Sequence, residues 1–305
     1  MGTPEFSVPV LEALIENTDV IAVVTQPDKI VGRKGEVLYS PVKNVAIKNN
    51  IKIFQPLKIR KEFDEIISLH PDLIVTCAYG QIIPSEILTS PKYGCINVHA
   101  SLLPYLRGGA PIHHAIIDGY QKTGITIMYM NEKMDEGDII SQSETLITDS
   151  DTTEILHDRL SIMGRELLIK VLPSIFDGTN ARIAQDNSKA TYGFNIKRED
   201  EKIDFNKSRR EIFNQIRGLN SWPGAYTTLD GNILKVWESK IGAESNLDID
   251  NGTILGLTKD GIKVKCSDGE IILTVIQPEG KKKMTVNSYL NGLKNKDELI
   301  NKVMV

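Results

Sequence analysis

The sequence predicts an α/β protein: a doubly wound, mostly parallel sheet followed by a small β-barrel domain. Two patterns carry that prediction. In the first half, short apolar runs alternate with segments of helical spacing, the pattern of βαβ units. In the last third, short strand-like runs are separated by turn dipeptides such as Asp230-Gly231, Asp260-Gly261 and Asp268-Gly269, as in a small antiparallel barrel. At 305 residues the chain is long enough for two cores. The expected division is a Rossmann-like α/β domain over 1–178, a connection over 179–203 and a barrel domain over 204–305.

Taken in order, Val10, Leu11, Leu14 and Ile15 have helical spacing and Val20–Val24 reads as a strand. Residues 25–35 read as a loop rich in turn residues and cations. A helix is expected over Pro41–Asn49, a strand over Ile51–Phe54, a helix near Lys61–Leu69, and strands over Asp72–Cys77, Gly94–Val98 and Gly124–Met130. Leu156, Leu160, Met163, Leu167, Val171 and Ile175 form one apolar stripe, so Thr152–Ile175 reads as a packing helix that Pro173 ends or kinks. Residues 179–203 are polar and lack periodicity, which marks a connection. Ser208 can cap a helix over Arg209–Ile216, and strands follow at Ala225–Leu229, Asn232–Glu238, Gly252–Leu257, Gly261–Lys265 and Glu270–Gln277.

Hydrophobic residues make up 41% and charged residues 25% of the chain, as in ordinary soluble proteins. No apolar run reaches the length of a membrane span, and no basic stretch with an apolar core opens the chain. Cys77, Cys95 and Cys266 are widely spaced, which suits buried, reduced thiols in a cytoplasmic protein. The net charge is −4, but from Asn206 onward there are 15 Lys and Arg against 12 Asp and Glu, and before it 21 against 28. A mildly basic C-terminal third on an acidic chain fits a phosphate-binding face as well as it fits ordinary surface.

The stretch Ile96–Pro111 carries the chemistry. A strand ends at Val98 and gives way to a polar, proline-punctuated loop. Asn97 and His99 are two residues apart, so in extended backbone an amide and an imidazole leave the strand on one side. Ligands of open α/β sheets bind at the carboxyl ends of strands. Pro104 and Gly108-Gly109 give the loop a fixed course and let backbone approach a ligand.

Asn97-Val98-His99 followed by Ser101-Leu102-Leu103-Pro104, Arg107-Gly108 and Pro111 resembles the signature of the 10-formyltetrahydrofolate-dependent formyltransferases. The likeness runs along nearly the whole chain. It implies a Rossmann-like first domain, an OB-like second domain, and transfer of a formyl group to an amine. The amine attacks the formyl carbon, an oxyanion forms and a proton leaves the nitrogen, so the site needs hydrogen-bond donors and a proton acceptor. Asn97 supplies the amide, His99 a donor or relay. The resemblance makes Asp135, in the acidic turn Met130–Asp138, the carboxylate that completes a catalytic trio with Asn97 and His99. On its own an aspartate in a turn with Gly137 reads as turn chemistry. The mechanism requires neither a metal nor a covalent nucleophile.

The same resemblance places folate contacts on Ser101, Leu102, Leu103 and Pro104, gives Arg107 the anionic end of a ligand, and makes the basic tip Arg33 and Lys34 the contact for a tRNA acceptor end. It points to the branch of the family that formylates methionyl initiator tRNA, acting as a monomer away from membranes. Arg209, Arg210, Arg217 and Lys281–Lys283 are further candidates for phosphate contacts. Chains of this family begin with a short apolar strand directly before Met-Gly-Thr-Pro, so an upstream strand is expected ahead of Met1. The competing readings are a formyltransferase acting on a small amine, such as a nucleotide sugar or purine precursor, and a folate- or RNA-binding module without catalysis. A nicotinamide dehydrogenase is disfavoured because no Gly-x-Gly-x-x-Gly follows a strand.

Overall fold

The structure is a computed structural model that describes residues 1–32 and 35–305. Arg33 and Lys34, the expected tRNA contacts, lie outside the described residues. The chain forms two units: Met1–Pro111, Lys122–Leu146 and His157–Phe194 in the first, and Ile112–Gln121, Ile147–Leu156 and Asn195–Val305 in the second.

In chain order the first part of the sequence gives α1 (Val8–Asn17), β1 (Ala22–Val24), β2 (Lys29–Val31), β3 (Glu36–Leu38), α2 (Pro41–Lys48), β4 (Lys52–Phe54), α3 (Asp64–Ile67), β5 (Ile74–Thr76), α4 (Ser85–Leu88), β6 (Cys95–His99), α5 (Pro111–Ile117), β7 (Lys122–Tyr129), β8 (Ile139–Leu146) and α6 (Thr153–Asp177). β1 pairs with β4 and β5 with β6, both in parallel, while β7 and β8 continue from β6 in antiparallel order. β7 is buried from Thr123 to Met128, as a strand covered on both faces must be. β8 instead alternates from Ile140 onward, with one face toward solvent.

Met1 and Gly2 lie between β1 and β5 and bond to both. Met1 N donates to Val75 O at 2.6 Å, Cys77 N donates to Met1 O at 2.9 Å, and Gly2 N donates to Val24 O at 3.0 Å. A Cβ on Gly2 would sit 2.8 Å from Cys77 O and from Ser7 Cβ, so only glycine fits. Beside this crossing is an apolar cleft of about 380 Å3 lined by Val10, Leu14, Val23, Ile74 and Leu172.

The stretch expected as a loop over 25–35 is in part a hairpin: β2 and β3 pair antiparallel, Lys29 opposite Leu38 and Val31 opposite Glu36. The two strands are built largely of β-branched and aliphatic residues, and pairing satisfies backbone that a loop would leave to water. The hairpin is exposed, with Ile30 77% and Val37 58% accessible. The helix expected over Lys61–Leu69 shrinks to α3, because His70 turns to a φ of +48° ahead of Pro71. α6 continues through Pro173 to Asp177, its last turns held by buried Leu172 and Ile175.

The second unit holds α7 (Arg209–Gly218), β9 (Ala225–Leu229), β10 (Asn232–Glu244), β11 (Ile254–Leu257), β12 (Ile262–Cys266), β13 (Gly269–Pro278), β14 (Met284–Thr285) and α8 (Val286–Asn291). Ser208 and Glu211 form a capping box that starts α7. The strands pair in the order β11-β12-β13-β10-β9, with β14 on β13. Asp230 and Gly231, between β9 and β10, both have positive φ (+50° and +79°), which matches the right-handed twist of the hairpin. The pairing path is open, but its two edges meet on one segment. Thr228 and Val305 exchange backbone bonds of 2.8 and 3.0 Å, and Ile254 N donates to Lys302 O at 2.8 Å. The interior is filled by Ile212, Ile216, Val236, Val264, Ile271 and Leu273, each at most 1% exposed.

Candidate active site

β6 delivers two polar side chains from an otherwise apolar strand. Thr76 of β5 stands opposite Asn97, and Thr126 of β7 opposite His99. Thr76 Oγ1 donates to Asn97 Oδ1 at 2.8 Å. With its oxygen held by Thr76, the amide turns its two N–H donors away from that hydroxyl.

His99 is 6% exposed, and its ring is fixed from both ends. Nε2 lies 3.1 Å from Leu106 O. A carbonyl can only accept, so Nε2 carries the proton and Nδ1 is the basic nitrogen of the neutral ring. Leu106 has a φ of +57°, costly for a branched side chain. Nδ1 faces Asp135 Oδ1 at 3.7 Å, an ion pair once the ring takes a second proton. Asp135 is itself anchored: Gly108 N donates to its Oδ2 at 2.8 Å. The trio expected from sequence is therefore partly assembled, with His99 and Asp135 adjacent and Asn97 two residues back along β6.

The loop Ser101–Pro104 is locked by bonds no sequence pattern announces. Ser101 is fully buried and its Oγ donates to Tyr105 O at 2.6 Å. Thr126 Oγ1 donates to Ser101 O at 2.6 Å and accepts from Leu103 N at 3.1 Å. Gln142 Nε2 donates to Leu103 O and to Thr126 Oγ1, at 2.9 and 2.8 Å. Leu103 is also buried, which leaves Leu102 and Pro104, both half-buried, as the apolar surface. A Cβ on Gly124 would be 2.0 Å from Ser143 O and 2.7 Å from Leu102 Cδ2, so this glycine makes room for the loop. Thr76, Gly124, Thr126 and Gln142 do not stand out in the sequence, because nothing in a strand's alternation distinguishes a supporting hydroxyl or amide from a surface one.

Arg107 corrects an expectation. The family resemblance gives it the anionic end of a ligand, but it is 2% exposed. Its Nη2 donates to Gln185 Oε1 and Asn187 Oδ1, both at 2.7 Å, and its Nη1 is 3.9 Å from Glu136 Oε2. Hydrogen bonds from Lys133 and then Asn187 hold the Glu136 carboxyl below the usual carboxylate range. A guanidinium buried this way is a clamp between loops rather than a ligand hook.

In the second unit, three of the expected phosphate contacts are engaged internally. Arg217, 8% exposed, donates to Thr148 O and Asp151 O through Nη1 and to Asn214 Oδ1 through Nε and Nη2. Arg209 pairs with Glu244 and Asp268, and Arg210 with Asp149. Lys281, Lys282 and Lys283 are exposed. Lys283 and Lys235 lie over the half-buried Trp237 ring at 5.1 and 5.4 Å, an aromatic face with cations on it.

Known proteins share both halves of this chain. The sequence profile of a family described as formyl transferase matches residues 1–172, and that of the formyl transferase C-terminal domain matches residues 195–294. The chain belongs to the formyl transferase family. Among its relatives is the methionyl-tRNA formyltransferase of Bacillus cytotoxicus, 54% identical over 298 residues that cover 96% of this chain and 95% of that one. The methionyl-tRNA formyltransferase of a Geobacillus species is 52% identical over 297 residues, 96% of this chain and 93% of its own. Two solved structures share the fold. WlaRD, a sugar 3N-formyl transferase crystallised with dTDP and 5-N-formyl-THF, superposes with a TM-score of 0.65 at 22% identity, covering 92% of this chain and 97% of that one. The N-formyltransferase of Helicobacter canadensis gives 0.64 at 23%, covering 91% and 97%.

As a formyl transferase the chain carries no reactive thiol at its site. All three cysteines are free and buried, and burial pushes the Cys77 and Cys95 thiols up to about 12 and Cys266 to about 11. Among the described residues no helix is long and apolar enough to cross a membrane.

Proposed function

We propose that this formyl transferase moves the formyl group of 10-formyltetrahydrofolate to the amino group of methionine carried on initiator tRNA, a reading supported by its 54%-identical relative, a methionyl-tRNA formyltransferase. The observation that carries the chemistry is the state of His99: Nε2 is tied to Leu106 O, so Nδ1 is the base and it faces Asp135. The amine attacks the formyl carbon. The carbonyl oxygen gathers negative charge, and the Asn97 N–H groups, aimed away from Thr76, stabilise it. The nitrogen loses its proton to His99 Nδ1, and the Asp135 carboxylate stabilises the imidazolium that results. The proton then passes to the departing nitrogen of tetrahydrofolate, which leaves as a neutral amine.

Leu102 and Pro104 form the apolar wall for the pteridine, while Ser101 and Leu103 act through the shape of the loop. Residues 1–178 carry the chemistry, 204–305 hold the tRNA and 179–203 connect them, with Arg33 and Lys34 at the acceptor end. The protein acts as a cytoplasmic monomer. The test is direct: incubation with 10-formyltetrahydrofolate and methionyl initiator tRNA should yield formylmethionyl-tRNA. Formylation of a free nucleotide sugar with none on the tRNA would contradict the assignment.

A further inference from the structure

By sequence, 179–203 is a connection between domains. In the structure its first half is stitched into the site. Ile183 and Ile139 exchange backbone bonds of 3.0 and 2.8 Å, and Arg107 N donates to Thr191 O at 2.9 Å. At the centre is Gln185. Its Oε1 accepts from Arg107 Nε and Nη2, at 3.2 and 2.7 Å. Arginine can only donate, so the amide orientation is forced and Nε2 points the other way. There Nε2 donates to Asp135 O and Gly137 O, both at 2.8 Å.

Those two carbonyls bracket the turn that presents the carboxylate. Asp135 has a φ of +52°, a left-handed turn conformation that aspartate adopts more readily than most side chains. A Cβ on Gly137 would lie 1.9 Å from Tyr129 O, so the Gly137 end of the turn is pressed against the end of β7, and the Asp135 end is the part that Gln185 holds. Among the described residues the side chain of Asp135 accepts a hydrogen bond from Gly108 N, and Gly108 is next to Arg107. Arg107 thus reaches Asp135 by two routes: through the Gly108 backbone to the carboxylate and through Gln185 to the turn. Asn187 adds a parallel tie, accepting from Arg107 and donating to Glu136 Oε1 at 2.9 Å.

We propose that Gln185 is a positioning residue for catalysis: one amide transmits the fixed location of buried Arg107 to the Asp135 turn and so sets the Asp135–His99 distance. It touches no reacting atom. Its loss would let the turn relax, with the carboxylate leaving the imidazolium it must stabilise. The inference rests on the reading of Asp135 as the partner of His99.

The experiment uses the full chain with Gln185→Glu, which keeps an acceptor for Arg107 and removes the two N–H donors, and Gln185→Leu, which removes both. Each is made alone and in an Asp135→Asn background. The expected result is a fall in kcat of about 10- to 100-fold for each single variant, with KM for both substrates within about twofold and the melting midpoint of Gln185→Glu near that of the parent. In the Asp135→Asn background the same changes should cost less than about twofold, because the group they position is gone. A kcat within about twofold of the parent for Gln185→Glu, or an equal loss in both backgrounds, overturns the proposal. Full activity of Asp135→Asn by itself would instead sink the assignment of Asp135. Should Gln185→Leu fail to fold, the kcat of Gln185→Glu in the two backgrounds decides the matter alone.

Discussion

Nε2 of His99 donates to the carbonyl oxygen of Leu106 at 3.1 Å. This bond assigns the proton within the ring, and with it the side from which the ring can act. The acid–base chemistry then belongs to Nδ1 and to the carboxylate in front of it. The backbone strain at Leu106, a φ of +57°, is the local cost of presenting that carbonyl.

Arg107 should be needed for stability rather than for ligand affinity. Arg107→Met removes the donor from Oε1 of half-buried Gln185 and from Oδ1 of exposed Asn187, at a cost of about 1 kcal/mol in a denaturant titration. Folate affinity measured on the folded fraction should change little. Unchanged stability with a large loss of folate affinity would return Arg107 to the ligand.

In a chain that starts at Met1, the terminal amine links stability to pH. Burial lowers its pKa from 8.0 to about 6. Between those values the unfolded chain holds a proton that the folded chain has released, so stability rises with pH from about 6 to 8. Below about 6 the penalty of burying the charge is complete, and above about 8 it has vanished. N-acetylation removes the group, and the acetylated chain should lose this component of the rise. Identical pH profiles for the two forms would show that the amine is not desolvated.

Changing Arg33 and Lys34 together to alanine should weaken use of the charged tRNA and leave folate binding nearly intact. The tRNA affinity of the parent should fall with rising salt, and the double variant should show a shallower salt slope. Equal damage to folate affinity would contradict this division of labour.

Much of the fold is legible in the sequence because it is periodic. The alternation of β6 places Asn97 and His99 on one side, and the stripe from Leu156 to Ile175 marks α6. What stays hidden depends on separation or on burial. Gln185 bonds to a turn about 50 residues away, and Gln142 to a loop about 39 away, with no local pattern to reveal either. Arg107 and Arg217 look like ligand contacts because sequence displays charge and not exposure. Residues 301–305 give no sign of joining the barrel, since a short segment of mixed character shows its role only when both edge strands are seen bonding to it. Asp135 is legible through the family resemblance alone, because its local sequence says turn.

The most direct measurement is a double-mutant cycle on formyl transfer with Asn97→Ala, His99→Ala and Asp135→Ala, alone and in pairs. Each single change should lower kcat by roughly two to three orders of magnitude, the usual loss on removing an oxyanion donor or a member of an acid–base unit. The His99 and Asp135 pair should be far from additive, the double variant losing little more than either single one. Near-normal turnover in His99→Ala or Asp135→Ala, or full additivity between them, would contradict the account.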